Sequence, residues 1–164
     1  MIIRQAEAAD WDAIWEILSP VFNQGETYTY PPGLSKEEAH YYWIEKPQYT
    51  YVAVEAGNVM GTYFLTENQP GQGSHVCNCG YVVAASARKR GIASAMCIHS
   101  QEEAIAKGFK AMQYNIVVKT NEGAVRLWQK HGFEIVGTLP KAYKHSRLGY
   151  VDAHVMYKLL DRSI

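Results

Sequence analysis

The sequence lacks any long apolar run and any net charge. No segment approaches the roughly 18 apolar residues of a membrane-spanning helix, and the start, from Met1 to Glu7, has neither a charged leader nor a long apolar stretch. Sixteen Lys and Arg side chains balance sixteen Asp and Glu side chains, so no overall field attracts nucleic acid or an anionic membrane. We therefore expect a cytoplasmic protein that binds neither nucleic acid nor membrane.

Cysteine is scarce as well. Cys77, Cys79 and Cys97 make an odd count in a chain without an export signal, so reduced thiols are expected. A Cys77-x-Cys79 pair would place both sulfur atoms on one face of a strand. The spacing is shorter than that of a zinc knuckle, however, and no second ligand pair follows. We predict no metal site.

What the chain does have is an alternation of strands and helices. Its 164 residues, 48% of them hydrophobic, suffice for one domain over residues 1–164 with a sizeable core. Apolar periodicity and turn signals predict helices at 10–22, 35–44, 91–107 and from residue 121, and strands at 2–4, 51–55, 59–66, 74–84, 110–118, 134–139 and 150–159. Loops are expected at 23–33 and 141–149, and a hairpin turn at Gly57-Asn58.

This order of elements predicts an α/β (α+β) fold. We expect a mixed, mostly antiparallel sheet flanked by helices, in which the only crossover is the strand–helix–strand unit at 74–118. The apolar stripe of the 91–107 helix is interrupted by Glu103. That helix is therefore expected to be packed at its start and more solvated toward its end.

The segment from Val83 to Ser94 joins a predicted strand to a predicted helix through a basic turn of small residues. A helix start offers main-chain N–H groups without acceptors in the helix, together with the positive end of the helix dipole. Gly91 and Ala93 keep bulk away from this turn, and residues 88–90 add positive charge. Such a turn is typical of a pyrophosphate site. A basic surface turn has the same pattern, so a second motif has to support this interpretation.

The second motif runs from Asn121 to Phe133. Asn121 is a good helix N-cap, and Gly132 suits the left-handed position after a helix. One helical face carries Ala124, Leu127, Trp128 and His131. Together the two motifs resemble the GNAT superfamily of acetyl-CoA-dependent N-acetyltransferases. Its Gln/Arg-x-x-Gly-x-Gly/Ala signature is Arg88-x-x-Gly91-x-Ala93 here, and its Asn-x-x-Ala-x-x-Leu-Tyr-x-x-x-Gly-Phe signature spans Asn121 to Phe133, with Trp128 in place of the tyrosine.

The resemblance implies a GNAT fold whose two central strands splay apart to admit acetyl-CoA. The residues then expected to bind this cofactor are Val82, Val83, Arg88, Lys89, Arg90, Gly91, Ile92, Ala93, Ser94, Asn121, Ala124 and Trp128. In the family a main-chain N–H at the end of the strand stabilises the oxyanion, and here that group belongs to Val83 or its neighbour.

The family tyrosine is usually the general acid for the leaving thiolate. An indole N–H does not ionise usefully, so Trp128 either donates a hydrogen bond to the sulfur or lines the cleft, and water or Tyr114 is the alternative acid.

The acceptor side also follows from the resemblance. Segments 23–32 and 145–152 look like the phosphinothricin acetyltransferase branch, which acetylates small amino-acid-type amines. Those enzymes carry a glutamate where this chain has Asn78, and asparagine is not a base. We expect Asn78 to orient a water, with Glu26, His75 or His145 as the proton acceptor. The residues expected to act in the chemistry are Glu26, Asn78, Val83 and Trp128; those expected to bind the acceptor are Glu26, Tyr28, Tyr30 and His145.

Two features of the acceptor side allow two interpretations each. Segment 141–149 offers cations, Arg147 among them, that suit a substrate carboxylate, although a solvated loop has the same composition. Aromatic residues from Tyr28 to Trp43 would line a substrate pocket or a homodimer interface, since GNAT relatives are often dimers. We predict a small-molecule N-acetyltransferase that acts by direct attack in a ternary complex. The alternatives are an acyl-CoA-binding module with little turnover, and an acetyltransferase for protein N-termini or lysines.

Overall fold

The computed structural model describes residues 1–164 as one seven-stranded sheet with helices on both faces. The strands are β1 (Ile2–Gln5), β2 (Tyr49–Glu55), β3 (Asn58–Glu67), β4 (Val76–Val83), β5 (Ala111–Val118), β6 (Glu134–His145) and β7 (Gly149–Leu159). The α-helices are α1 (Trp11–Gln24), α2 (Lys36–His40), which continues as a π-helical turn over Tyr41–Glu45, α3 (Ile92–Ala106) and α4 (Glu122–Lys130). No helix combines the length and the apolar character needed to cross a membrane.

The sheet has the order β1-β2-β3-β4-β5-β7-β6. All neighbouring strands are antiparallel except β4 and β5, which are joined through α3. These two parallel strands pair only at Val76↔Ala111 and Cys77↔Met112, and beyond that point the ladder stops. The predicted fold class and the crossover at 74–118 are therefore confirmed, and the sheet is divided by a split between its two central strands. The prediction that this crossover is the only one is wrong, because β5 also crosses through α4 to the parallel strand β6, with β7 between them.

Two hydrophobic clusters pack on opposite faces of the sheet. One includes Met96, Trp128 and Phe133 and lies beneath α3 and α4, whereas the other includes Leu18 and Trp43 and lies beneath α1 and α2. The three cysteines are buried free thiols. The cluster beneath α3 and α4 includes residues from both sides of the split, among them Cys79 of β4 and Tyr114 of β5, so packing joins the two halves of the sheet where the ladder has stopped.

The helix predicted at 35–44 begins with a capping box: the Ser35 hydroxyl accepts from the Glu38 N–H, and the Glu38 carboxylate accepts from the Ser35 N–H. The prediction that α3 becomes more solvated toward its end is confirmed, since residues 105–107 are all exposed. Burial nevertheless continues as far as Ala104, because Ser100 and Gln101 donate to the Cys97 carbonyl and so become compatible with burial.

The prediction of a loop at 141–149 is also wrong. Strand β6 continues to His145, and Tyr143 and His145 are buried while their neighbours are exposed. This alternation is that of a half-buried strand. The β2–β3 turn lies one residue earlier than predicted, at Ala56-Gly57, because both residues have the positive φ (48° and 79°) that a tight hairpin turn requires.

Candidate active site

A cavity of about 600 Å³ occupies the split between β4 and β5. Its walls come from both halves of the sheet, from the segment after α1 and from α4. The residues that line it are Val21, Gln24, Glu26, Thr27, Tyr28, Thr29, Tyr30, Phe64, Asn78, Cys79, Gly80, Tyr81, Val82, Val83, Arg88, Tyr114, Asn115, Ile116, Val117, Val118, Asn121, Ala124 and Trp128.

The main chain of β4 presents alternate peptide groups to this cavity. The Ala84 N–H donates to the Met60 carbonyl at 2.9 Å, and the Asn68 N–H donates to the Val76 carbonyl at 2.8 Å. In an antiparallel ladder the bonded positions alternate, so the main-chain groups of Tyr81 and Val83 point away from β3 and into the split. Val83 thus has the orientation expected of an oxyanion donor. The Tyr81 carbonyl accepts a hydrogen bond from the Tyr28 hydroxyl at 2.8 Å.

The start of α3 carries a run of unpaired main-chain donors. No N–H from Arg88 to Ser94 has an acceptor in the protein, and Gly91 adopts the left-handed φ of 79° at the turn into the helix. This array has the donors and the dipole that a pyrophosphate requires. The side chains differ in position: Arg88 lines the cavity, Ile92 is buried, and Arg90 is paired with Glu55.

The remaining side chains predicted for the cofactor lie close to this array. The Ser94 hydroxyl is 2.6 Å from His131 Nε2, which ties the first turn of α3 to the end of α4. Lys89 is exposed with a φ of 62°, and Ala93 is half-buried. For Ile92 and Ala93 the main-chain N–H is therefore the group available to a ligand, whereas the exposed Lys89 also offers its ammonium.

Helix α4 supplies the opposite wall. Asn121 is its N-cap, with Oδ1 accepting from the Ala124 N–H at 3.4 Å. Trp128 is 8% exposed and packs against Tyr81 and Tyr114, with ring centroids 5.0 and 5.1 Å away. Every fully buried side-chain nitrogen or oxygen has a hydrogen-bond partner. The Trp128 indole N–H has no partner in the protein, so it is not fully buried. The indole N–H is therefore accessible from the cavity that Trp128 lines.

Tyr114 does not suit the role of alternative acid. Its ring lines the cavity, but its hydroxyl is 3.0 Å from the Tyr81 hydroxyl and 3.8 Å from Cys97 Sγ, on the side of the core. Burial raises the pKa of the Tyr114 hydroxyl well above its usual value. The hydroxyl is thus a buried structural group that belongs to a network with Tyr81 and Ser100.

Tyr114→Phe should accordingly leave kcat within about twofold, while it lowers the free energy of unfolding by about 1 kcal/mol through the lost hydrogen bonds. Steady-state kinetics and thermal unfolding of the same preparation test both expectations. A large fall in kcat at unchanged acetyl-CoA binding would instead indicate that Tyr114 is the general acid that protonates the leaving thiolate.

Asn78 lies at the point where the strands part. Its Nδ2 donates to the Gln113 carbonyl on β5 at 2.9 Å, one position beyond the last paired residues, Cys77 and Met112. The side-chain amide therefore satisfies a main-chain acceptor where the ladder ends. Asn78 Oδ1 has no protein partner and belongs to a residue that lines the cavity.

The structure separates the three predicted proton acceptors. Glu26 lines the cavity, and its Oε1 accepts from Arg147 Nε at 2.6 Å. His145 does not line the cavity, because its Nδ1 accepts the N–H groups of Arg147 and Leu148 and so closes the β6–β7 turn. This corrects its assignment to the acceptor site. His75 is exposed at the far end of β4 and is not part of the lining either.

Tyr28 and Tyr30 line the cavity beside Glu26, and their binding of the acceptor stays a prediction. Burial raises the pKa of Tyr30 to about 12 and that of Tyr28 further, so both phenols are neutral near pH 7. Several lining residues were not predicted, among them Gln24, Thr27, Thr29, Phe64 and Asn115. Asn115 falls in an irregularity of β5 between Tyr114 and Val117, for which the sequence has no turn signal.

A split sheet, a cradle of free N–H groups at a helix start and a cavity that joins both define an acyl-CoA-dependent acyltransferase. Residues 11–133 match the model of the acetyltransferase (GNAT) family. The chain belongs to this family and is an acetyl-CoA-dependent N-acetyltransferase.

Individual proteins agree with this membership. A GCN5-related N-acetyltransferase from Kribbella flavida has a structure with a TM-score of 0.91 and 44% identity over 96% of each chain. The chain is 29% identical to the L-amino acid N-acetyltransferase AaaT of Escherichia coli over 97% of this chain and 98% of AaaT. It is 33% identical to the N-acetyltransferase aca1 of Schizosaccharomyces pombe over 60% of this chain and 47% of aca1. The same fold occurs, at 24% identity and a TM-score of 0.82, in a Sinorhizobium meliloti phosphinothricin acetyltransferase in complex with acetyl-CoA, with 98% of this chain and 88% of that chain covered.

Proposed function

We propose that this chain acetylates the primary amine of a small molecule, an amino acid or its analogue, by direct attack within a ternary complex. The observation that carries the proposal is the shape of the cavity. Its lining runs from Val83 and Arg88, where the series of free N–H groups begins, to the 24–30 segment. Donor and acceptor would thus meet in one space without a covalent enzyme intermediate.

Acetyl-CoA supplies the acetyl group as a thioester. In our proposal the amides from Arg88 to Ser94 hold its pyrophosphate, with Asn121 and Ala124 beside the pantetheine arm. The Val83 N–H donates to the carbonyl oxygen as negative charge develops there. Trp128 forms the wall near the sulfur, and its indole N–H donates a hydrogen bond but no proton.

The acceptor must lose a proton before it attacks. We propose that Asn78 Oδ1 holds a water that receives this proton from the amine. Glu26 is the only carboxylate that lines the cavity, and its Oε2 has no hydrogen bond in the protein. It is therefore the proposed next acceptor on the way to solvent.

The acceptor half of the cavity favours a small substrate. The Tyr143 hydroxyl donates to the Tyr28 carbonyl at 2.8 Å, and Ser146 Oγ donates to the Gln24 carbonyl at 2.7 Å, so the β6–β7 turn is joined to the acceptor segment. A protein lysine or N-terminus would have to displace these contacts. The similarity to AaaT, whose name states L-amino acids as its substrates, supports the same class. We also propose that residues 1–164 form a single domain; a homodimer stays a prediction.

The test is the release of free thiol from acetyl-CoA in the presence of each proteinogenic L-amino acid, simple primary amines and lysine-containing peptides, with mass detection of the products. We expect N-acetylated amino acids and no acetylated peptide lysine. Turnover with peptides alone, or binding of acetyl-CoA without acetylation of any amine, would contradict the proposed substrate class.

A further inference from the structure

We propose that Arg147, held in place by Glu26, binds the α-carboxylate of the acceptor. This inference rests on the proposed function, because it assumes that the acceptor is an amino acid. In this proposal Arg147 makes the enzyme selective for acceptors that carry a free carboxylate over acceptors that lack one.

The first argument is the charge of the cavity wall. Its only charged side chains are Arg88, which belongs to the cofactor end, and Glu26, which belongs to the acceptor end. The acceptor half therefore has no cation of its own in the wall. A carboxylate that enters it gives up water contacts and needs a positive partner.

The second argument is the position of Arg147. Its Nε donates to Glu26 Oε1 at 2.6 Å, and no other Lys or Arg side chain forms a hydrogen bond or an ion pair with a residue of the acceptor wall. Two neighbouring side chains of the same segment are directed elsewhere: the Lys144 ammonium lies over the Tyr150 ring, and His145 Nδ1 accepts main-chain N–H groups within the turn.

The third argument is that the turn carrying Arg147 is fixed. The Ser146 N–H donates to the Gly25 carbonyl at 2.9 Å, and Ser146 Oγ donates to the Gln24 carbonyl at 2.7 Å. Gly25 has a φ of 65°, and a Cβ there would come within 3.3 Å of Ser146 Cβ. The two segments thus pack closely enough to place the base of the Arg147 side chain at the mouth of the acceptor half.

The fourth argument is the unused hydrogen-bonding capacity of the pair. A guanidinium has five N–H donors, and only the one at Nε is engaged in the protein. Both Nη groups are free, on a side chain that is 73% exposed, whereas Glu26 is 18% exposed. Glu26 therefore acts as the inner anchor, and Arg147 presents its outer nitrogen atoms to a carboxylate.

The experiment compares the best amino acid from the acceptor screen with its carboxamide, which keeps the amine and the side chain but lacks the carboxylate charge. Arg147→Gln should raise KM for the amino acid about tenfold, as expected for a lost charge-assisted hydrogen bond. It should leave KM for the carboxamide and for acetyl-CoA unchanged. Arg147→Lys should recover part of the loss, because a lysine keeps the charge without the fork of donors.

Arg126→Gln is the matched control, because Arg126 forms an exposed pair with Glu122 on α4 and should not affect either acceptor. Glu26→Gln should also raise KM for the amino acid, and the double variant with Arg147→Gln should be less than additive. Equal effects of Arg147→Gln on the amino acid and the carboxamide would overturn the inference and leave the proposed function intact. A wild-type protein that acetylates no amino acid would overturn both.

Discussion

Gly91→Asp will weaken the binding of acetyl-CoA about a hundredfold. The substitution places a carboxylate beside the unpaired N–H groups of residues 88–94, where the pyrophosphate is proposed to bind. Two like charges about 6 Å apart repel by roughly 3 kcal/mol at an effective dielectric constant of 20, which corresponds to about a hundredfold in affinity. Calorimetric titration with acetyl-CoA measures the effect.

Gly91→Asn is the matched control for this variant. Gly91 has a φ of 79° and open space where a Cβ would project, and asparagine and aspartate share shape and tolerance for this conformation. Gly91→Asn should therefore lose less than about tenfold in affinity, and the two variants should differ mostly through charge. Raised salt should reduce that difference. Equal affinities of the two variants would show that the pyrophosphate binds elsewhere.

Asn78→Asp will lower kcat/KM about a hundredfold and will also destabilise the fold. The Asn78 amide donates to the Gln113 carbonyl at 2.9 Å, and a carboxylate cannot donate. The substitution would leave an acceptor facing an acceptor where β4 and β5 part, at a cost of about 1–3 kcal/mol in the free energy of unfolding. It would also disturb the proposed water site, and loss of proton-transfer assistance typically costs about 10²-fold in rate. Kinetics and thermal unfolding measure the two effects separately.

Asn115→Asp provides the comparison for Asn78→Asp. Asn115 also lines the cavity, but it is exposed and its Nδ2 donates to Asn68 rather than across the split. Asn115→Asp should therefore add the same charge to the cavity, but it should lower kcat/KM much less than Asn78→Asp does. A kcat/KM of Asn78→Asp above that of the wild type would contradict the expected loss and would show that a carboxylate at position 78 can act as the base.

The local structure expected on the cofactor side could be predicted because it is set by residues close together in sequence. The strand end, the glycine at the turn and the N-cap at Asn121 each require particular residue types at fixed spacing, and such patterns are visible without coordinates. The acceptor side could not be predicted in this way. Arg147 meets Glu26 across a separation of 121 residues, and no periodicity within one element indicates such a contact.

Two further misassignments have physical causes. Five of the nine residues in segment 141–149 are basic or polar, which favours a loop, although Tyr143 and His145 alternate with exposed neighbours as in a strand. Tyr114 was considered as an acid because it was expected on a strand beside the cleft. The orientation of its hydroxyl depends on partners from β4 and α3, namely Tyr81 and Cys97, which sequence does not bring together.

The contacts that join the β6–β7 turn to the segment after α1 also affect the order in which the molecule assembles. Ser146 and Gln24 lie 122 positions apart, and Tyr143 and Tyr28 lie 115 apart. Closing such long loops is slow compared with forming helices and hairpins. The 24–30 segment, which lines the cavity, is therefore fixed in place only after the last hairpin has docked. In a chain emerging from the ribosome, the turn between β4 and α3 is already made while this segment is still unattached, so the part of the cavity proposed to bind the acceptor is the last to become rigid.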